Sequence, residues 1–312
     1  MNNIWVIGNY SNTSTNYNDH ILATGFVNRG WNVKRLQFEL IDINEQDQLT
    51  YNGELLVAPD LAVFSQPIFT LRNSFYFEKK NKVFDLLKQF NTLFINDIDT
   101  HCNAIDKTTM YRLLIDAAAY KKLNCPIPLT TFLGANLSDE EKMQIVEYVG
   151  GFPIVFKEVL SSRAEGVYLV NDLEEMKATE IEIRKKIGST TLIVQQFMSM
   201  GGIMLETRVI GEDVKTRITL GSPYEDFKSN INIQRSYVAC KTTPELREIS
   251  LNAMKALSLD IARLDVFYSG GEYKICEVNS LGSILGSEMS WNQMVGQDIA
   301  DYCISKYHAL KS

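Results

Sequence analysis

The sequence predicts a mixed fold, in which a small α/β unit built on a parallel sheet is followed by α+β units. Three observations predict this class. The chain has 312 residues, more than one typical domain contains. Strand and helix signals alternate through the first hundred residues, and the last third carries mainly strand signals with one clear helix. We therefore expect two or three compact units.

The first hundred residues show the alternation that is typical of βαβ units. Helical spacing of apolar residues predicts helices at 21–27, ended by Gly30, and around 83–90. Short apolar runs before, between and after these helices predict strands at 4–7, 33–38, 61–64 and 93–95. This pattern predicts a small parallel sheet.

The middle of the chain predicts helices joined to a few strands. Residues 105–123 have helical spacing as far as a proline-rich break at 126–128. Ser138 and Asp172 each precede a glutamate by three residues, the capping-box signal for a helix start. Strands are predicted at 152–157 and 167–170.

The last third predicts an antiparallel hairpin beside an amphipathic helix at 246–257. The hairpin joins 261–268 to 273–278 around Gly270 and Gly271. Three earlier strands are predicted at 192–197, 206–210 and 214–220.

Composition narrows the function classes. The net charge of −7 argues against a nucleic-acid partner, and no charge-free apolar run is long enough for a membrane span. Five scattered cysteines without a Cys-x-x-Cys pair predict reduced thiols and a cytoplasmic location. Three widely separated histidines argue against a zinc hydrolase or a histidine-based triad.

Asp265, Glu277 and Asn279 form the first candidate site. Glu277 and Asn279 are two residues apart on one strand and therefore share a face. Two carboxylates and an amide oxygen are ligands that suit Mg²⁺, which would bridge nucleotide phosphates. The alternative is an acidic pair on the protein surface, and spacing alone favours neither reading.

The register of the hairpin tests this metal hypothesis. A two-residue turn at Gly270 and Gly271 pairs Asp265 with Cys276, which leaves Glu277 on the opposite face. A metal site therefore requires a three-residue loop or a β-bulge, and the two glycines permit either.

Two weaker signals involve cations. Lys157 ends an apolar strand beside a small-residue loop, where an ammonium and loop amides grip phosphate, although most such lysines are merely solvated. No Walker motif and no Gly-x-Gly-x-x-Gly occurs. The second signal is a cluster of basic and amide residues whose two arginines lie on adjacent predicted strands and could share one site. Arginines on edge strands more commonly form ion pairs at the protein surface. The cluster consists of Arg208, Arg217, Lys228, Ser229 and Asn230.

The order of these pieces resembles the ATP-grasp superfamily and, within it, the RimK-like ligases that add glutamate to a ribosomal-protein tail. The similarity covers almost the whole chain. The matching segments are DK at 106–107 with PIPLT at 126–130, FPIVFK at 152–157 with EGV at 165–167, LIVQQFM at 192–198, ETRVIG at 206–211, DFKSN at 226–230, and LDIARLD at 259–265 with CEVNS at 276–280.

The resemblance implies a role for each matching residue. Lys107 and Lys157 would hold the α- and β-phosphates, and Arg208 would stabilise the acyl phosphate and the tetrahedral intermediate. The other nucleotide contacts would come from Ser161, Ser162, Gln196, Phe197, Met198, Glu206 and Ser229. Lys228 and Asn230 would contact the transferring phosphate, and Asp265, Glu277 and Asn279 would bind the metal.

Several positions depart from the family pattern. Gln196 stands where relatives carry glutamate, and Lys228 where they carry arginine, which loses a bidentate fork. Ser161 and Ala164 replace glycines in the phosphate loop. No proline follows Asn279, and the segment after 230 lacks the family's His-Arg-Gly-Gly run. That last change lies on the substrate side, so glutamate transfer to a ribosomal protein is not assumed.

The resemblance implies an ATP-grasp fold with an N-terminal domain at 1–97, a central lid domain at 98–191 and a C-terminal domain at 192–312. It implies a ligase that uses ATP with Mg²⁺ or Mn²⁺ to form an amide bond through an acyl phosphate, on an amino acid, peptide or protein tail. The alternatives are a macrocyclising ligase of a precursor peptide and a non-catalytic nucleotide-binding regulator. The resemblance leaves a homo-oligomer open.

Overall fold

A computed structural model of the chain describes residues 1–8, 15–66, 74–159, 166–187, 191–198, 203–220 and 236–312. Within these residues, no helix is both long enough and apolar enough to cross a membrane.

The N-terminal unit contains the predicted parallel sheet, with strand order β2-β1-β6-β7 and parallel pairing throughout. Helix α1 starts at Thr15, six residues before its predicted start. The elements are β1 (Asn3–Gly8), α1 (Thr15–Val27), β2 (Asn32–Gln37), β3 (Ile41–Ile43), β4 (Leu49–Tyr51), β5 (Glu54–Leu55), β6 (Leu61–Phe64), α2 (Ser74–Leu87) and β7 (Leu93–Ile95). The small antiparallel sheet β3-β4-β5 was not predicted, because strands of two or three residues are too short to show a period.

The central unit is an antiparallel sheet of order β10-β9-β11-β8, with α5 and α6 contributing to its core. Its elements are α3 (Ile98–Ile105), α4 (Lys107–Ala119), β8 (Thr130–Leu133), α5 (Asp139–Tyr148), β9 (Ile154–Lys157), β10 (Val167–Val170), α6 (Leu173–Ile187) and β11 (Leu192–Gln196). Because β11 pairs with β8 and β9, this sheet extends past the expected boundary at residue 192.

The helix predicted at 105–123 corresponds to α4, and helix α3 before it was not predicted. Asp106 leaves the helical conformation, with ψ of 103°, and its side chain accepts the Thr109 amide at 2.9 Å. It therefore ends α3 and caps α4. The capping box at Ser138 and Glu141 is confirmed. At Asp172, the aspartate accepts the Glu175 amide at 2.8 Å, but the glutamate bonds Asn171 instead of completing the box.

The C-terminal unit is an antiparallel sheet of order β14-β13-β12-β15-β16. Its elements are β12 (Ile203–Ile210), β13 (Asp213–Leu220), β14 (Ser236–Cys240), α7 (Pro244–Leu257), β15 (Ile261–Ser269), β16 (Glu272–Asn279), α8 (Leu285–Trp291) and α9 (Val295–Lys311). Strand β14 and helices α8 and α9 were not among the sequence predictions. Helix α9 packs against α1 of the N-terminal unit, so the last helix contacts the first.

The two faces of this sheet differ in chemistry. On one face, apolar side chains such as Leu205, Leu264 and Val278 pack against α4 and α7. The other face carries charged side chains, because successive residues of a strand point to opposite sides. The candidate site lies on this second, polar face.

Candidate active site

The polar face brings charged residues from neighbouring strands side by side. Glu206 on β12 lies opposite Arg217 on β13 and opposite Asp265 on β15. Asp265 in turn lies opposite Glu277 on β16, and Arg263 lies opposite Asn279. The strand period of two therefore gathers the predicted metal residues on one surface.

The hairpin contains the bulge that the metal hypothesis requires. The turn has only two residues, Gly270 and Gly271, with φ of +62° and +86°, conformations that glycine adopts without strain. From this turn the strands pair in simple register as far as Val266, which lies opposite Ile275. The register then shifts by one residue, so that Cys276 is the extra residue of a bulge and Asp265 faces Glu277.

Lys107 reaches this hairpin from a different unit. It is the first residue of α4, and its Nζ lies 3.1 Å from Oε1 of Glu277. Burial by itself would raise the pKa of Glu277, but Lys107 and then Lys157 outweigh it and hold that pKa below its ordinary value. Glu277 is therefore ionised at neutral pH.

Lys157 reaches the same hairpin from the central sheet. It ends β9 and is buried, with its Nζ 2.9 Å from the Tyr111 hydroxyl and 3.5 Å from Sγ of Cys276. Burial opposes the charged form of Lys157, but Cys276, Tyr111 and Glu277 together raise its pKa above the ordinary value. Lys157 is therefore a buried cation, not a solvated strand end.

Arg208 is buried and faces the loop that follows the hairpin. One of its terminal nitrogens donates to the carbonyl of Leu281, and the other to the Ser283 carbonyl at 2.6 Å and to the Ser287 hydroxyl at 3.2 Å. Burial lowers the pKa of Arg208 to about 9 against the opposing effect of Glu206, so it stays charged at neutral pH. Its predicted contact with the acyl phosphate stays a prediction.

Glu206 lies in a buried ion network. Its carboxylate is 2.5 Å from Arg217 and 3.7 Å from Arg263. Although burial opposes it, the two arginines lower the pKa of Glu206. Since Arg208 and Arg217 are 1% and 2% exposed, the alternative of surface ion pairs is wrong for both. The predicted ribose contact of Glu206 stays a prediction.

Sequence reasoning did not select Arg263 or Tyr111. Arg263 is two residues before Asp265 on the same strand face, and its Nη2 lies 3.2 Å from Oδ2 of that aspartate. The strand period was the signal that would have found it. Tyr111 offered no comparable signal, because it lies among apolar residues of a helix.

The comparisons with known proteins point to one family. Residues 104–304, well over half of the chain, match the RimK-like ATP-grasp domain. The chain belongs to this family. Two curated relatives are a probable alpha-L-glutamate ligase of Parasynechococcus marenigrum, 32% identical over 182 residues, and a probable alpha-L-glutamate ligase 2 of Shewanella amazonensis, 30% identical over 160 residues.

These sequence matches cover 58% and 51% of this chain but only 37% and 52% of the two relatives, so they span about half of those proteins or less.

Solved structures match over nearly the whole chain. A RiPP-associated ATP-grasp ligase of Chryseobacterium gregarium has a TM-score of 0.71 at 15% identity, covering 98% of this chain and 97% of its own. D-alanine–D-alanine ligase of Bacillus anthracis has a TM-score of 0.67 at 14% identity, covering 99% of this chain and 98% of its own. This chain therefore has the ATP-grasp fold, as predicted.

The predicted adenine slot of this ATP-grasp chain lies where β11 ends. The Gln196 amide donates to the Leu129 carbonyl at 2.8 Å, and the Gln196 side-chain oxygen accepts the Leu129 amide at 3.4 Å. Phe197 and Met198 follow and are partly exposed. Their contact with adenine stays a prediction. The predicted residues Ser161, Ser162, Lys228, Ser229 and Asn230 lie outside the described residues.

The donor chemistry around the hairpin fits a magnesium ion. Asp265 and Glu277 present carboxylates on neighbouring strands, and Asn279 adds an amide oxygen to the same face. The described part of the chain holds no group of three His, Cys, Asp or Glu residues that could bind a metal ion. A metal held by these three residues therefore needs further oxygen ligands, which nucleotide phosphates provide.

Proposed function

We propose that this ATP-grasp chain is an ATP-dependent carboxylate–amine ligase that forms an amide bond through an acyl phosphate. One observation carries the proposal. Lys107, at the start of α4, and Lys157, at the end of β9, converge on a hairpin whose bulge places Asp265 beside Glu277. This arrangement suits a triphosphate with its divalent cation, gripped from two sides.

The charge balance supports an anionic ligand. We define the charged cluster as five cations, Lys107, Lys157, Arg208, Arg217 and Arg263, with three carboxylates, Glu206, Asp265 and Glu277. The cluster has an excess of two positive charges. Buried charge without compensation is costly, and the phosphates of ATP would offset this excess.

The proposed reaction has two steps. A substrate carboxylate attacks the γ-phosphorus of ATP, and the bond between the γ-phosphorus and the oxygen of the β-phosphate breaks. ADP is released with that oxygen, and the substrate becomes an acyl phosphate. An amine then attacks the acyl carbon, inorganic phosphate leaves with the electron pair of the C–O bond, and the amine loses a proton. Bound Mg²⁺ would neutralise phosphate charge.

The residues of the chain supply positioning and charge, with no protein nucleophile. Lys107 and Lys157 would hold the α- and β-phosphates while the γ-phosphate faces the substrate carboxylate. Arg208 lies on the same sheet face and would stabilise the negative charge of the acyl phosphate once the loop at 281–283 releases it. Positioning of this kind accounts for a large share of the rate in two-substrate reactions.

An ADP-release assay tests the proposal. Purified protein with ATP and Mg²⁺ is offered single amino acids, glutamate included, and short peptides, and ADP is measured. We expect ADP that depends on both a carboxylate and an amine. Glu277→Ala abolishes it, while Glu272→Ala, an exposed glutamate on the same hairpin, leaves it unchanged. Nucleotide binding without carboxylate-dependent ADP would instead indicate the non-catalytic regulator.

A macrocyclising ligase of a precursor peptide is the second candidate. It is supported by structural neighbours solved with precursor peptides, such as the Chryseobacterium gregarium ligase in complex with ADP and a leader and core peptide. Mass spectrometry separates the two. Addition of an amino acid raises the mass of the acceptor by one residue, whereas ring closure lowers the mass of a peptide by one water.

A further inference from the structure

We infer that Tyr111 is a positioning residue that holds Lys157 ready for the phosphates of the nucleotide. This inference rests on the proposed function, because it concerns the same site. Tyr111 lies on α4 and is fully buried. It was neither predicted as a site residue nor placed in one of the matching motifs.

The Tyr111 hydroxyl joins three elements. It accepts a hydrogen bond from Nζ of Lys157 on β9 at 2.9 Å, and it donates to the carbonyl of Cys276 on β16. Cys276 is the extra residue of the hairpin bulge. One hydroxyl therefore links the lysine of the central sheet to the bulge that turns Glu277 onto the polar face.

The partners of Lys157 explain why this contact matters. Its ammonium touches Tyr111 and the sulfur of Cys276, and the structure gives it no carboxylate within ion-pair distance among the described residues. Neutral partners orient the ammonium without cancelling its charge. A phosphate that arrives therefore meets a charged group that is already in place.

The gain is one of preorganisation. A lysine side chain has four rotatable carbon bonds and loses conformational freedom when it binds a ligand. Burial and the Tyr111 hydroxyl restrict Lys157 before the nucleotide arrives, so less freedom is lost on binding. The ring of Tyr111 packs in the core of the C-terminal sheet, which gives the hydroxyl a rigid support.

The test compares two ligands that differ only in phosphates. Calorimetric titrations measure the affinity of ADP with Mg²⁺ and of adenosine for the native chain, Tyr111→Phe and the control Tyr302→Phe. Tyr302 donates to Asp260 at 2.7 Å, in a different part of the chain. We expect Tyr111→Phe to weaken ADP about tenfold and to leave adenosine unchanged, and Tyr302→Phe to change neither.

Several outcomes overturn the inference. Unchanged ADP affinity in Tyr111→Phe removes the positioning role, and an equal loss for adenosine shows a structural role only. In a Lys157→Met background, Tyr111→Phe should cause no further loss of ADP affinity, so an additive loss also contradicts it. A native chain that binds no ADP overturns the proposed function itself and is seen before any variant is compared.

A second measurement does not depend on the folding of Tyr111→Phe. Incorporation of 3-fluorotyrosine at position 111 keeps the ring and the hydroxyl and gives a fluorine resonance beside Lys157. We expect ADP with Mg²⁺ to shift this resonance and adenosine to leave it in place. A resonance that ADP does not move contradicts the inference.

Discussion

Lys107 and Lys157 reach the same hairpin but differ in their partners. Lys107 contacts the carboxylate of Glu277 at 3.1 Å, whereas Lys157 contacts the neutral groups Tyr111 and Cys276. Lys107 therefore pairs with a charge that the protein itself supplies, whereas the two hydrogen-bond partners of Lys157 carry no charge. The comparison indicates that, under the proposed function, the charge of Lys107 is already partly offset by Glu277, whereas that of Lys157 would be more fully available to the nucleotide phosphates.

The largest expected effect is that of Lys157→Met on nucleotide affinity. A charged hydrogen bond to phosphate in a buried site contributes about 3 kcal/mol, so we expect ADP to bind about 100-fold more weakly. Titration calorimetry measures this affinity. Lys177→Met, an α6 lysine paired with Asp139, is the matched control and should bind ADP as the native chain does. Equal affinities for Lys157→Met and the control would break the comparison.

Lys107→Met should act more on stability than on affinity. Without Lys107, the carboxylate of Glu277 loses a cation at 3.1 Å, and we expect the free energy of unfolding to fall by about 1–2 kcal/mol. Urea denaturation at pH 7 measures the change. Adding Glu277→Gln to this variant should restore part of the loss, because no carboxylate is then left unpaired. A double variant less stable than either single one contradicts this account.

Removing the N-terminal cap of α4 should have a smaller effect on stability, and it should affect the helix that carries Lys107 and not the strand that carries Lys157. Asp106 accepts the Thr109 amide at 2.9 Å and begins the helix whose first residue is Lys107. Asp106→Ala should lower the free energy of unfolding by about 1 kcal/mol, as is usual for the loss of a helix cap. Asp106→Ser, which keeps a capping oxygen, should be nearly native. Thermal melting distinguishes the two variants.

The pH dependence of stability should give the smallest effect. Because the folded state holds the pKa of Glu277 below its ordinary value, this residue stabilises the fold above that value, and its contribution is lost as the pH falls through the lowered pKa. Urea denaturation between pH 7 and pH 3 should show a shallower acid loss in Glu277→Gln than in the native chain. Parallel curves would contradict this assignment.

Much of the fold followed from local patterns. The parallel strands of the N-terminal unit, the strands that carry Lys157 and Arg208, and the long hairpin all showed apolar periods long enough to be recognised. Helix α3 was missed, and the helix after it was predicted to start at 105, although Asp106 separates the two helices and caps the second. Helix α9 was missed although it forms much of the contact with α1.

The candidate site was predicted only in part. The residue types of Asp265, Glu277 and Asn279 identified a metal hypothesis, and the family resemblance added Lys107 and Lys157. Arg263 was overlooked because an arginine on a strand is usually at the surface. Whether Glu277 faces Asp265 depended on a bulge, which spacing permitted but did not require.

By itself, the sequence determined the class of fold, the family and the chemical character of the residues that would meet a nucleotide, because periodicity and motif order are local properties of the chain. Only the tertiary structure decided which ammonium pairs with a carboxylate and which rests on a tyrosine hydroxyl. Those partners are far apart in sequence: Lys107 and Glu277 meet through α4 and β16, and Tyr111 and Lys157 meet through α4 and β9. Contacts of that kind depend on how the sheets and helices pack, which no local pattern encodes.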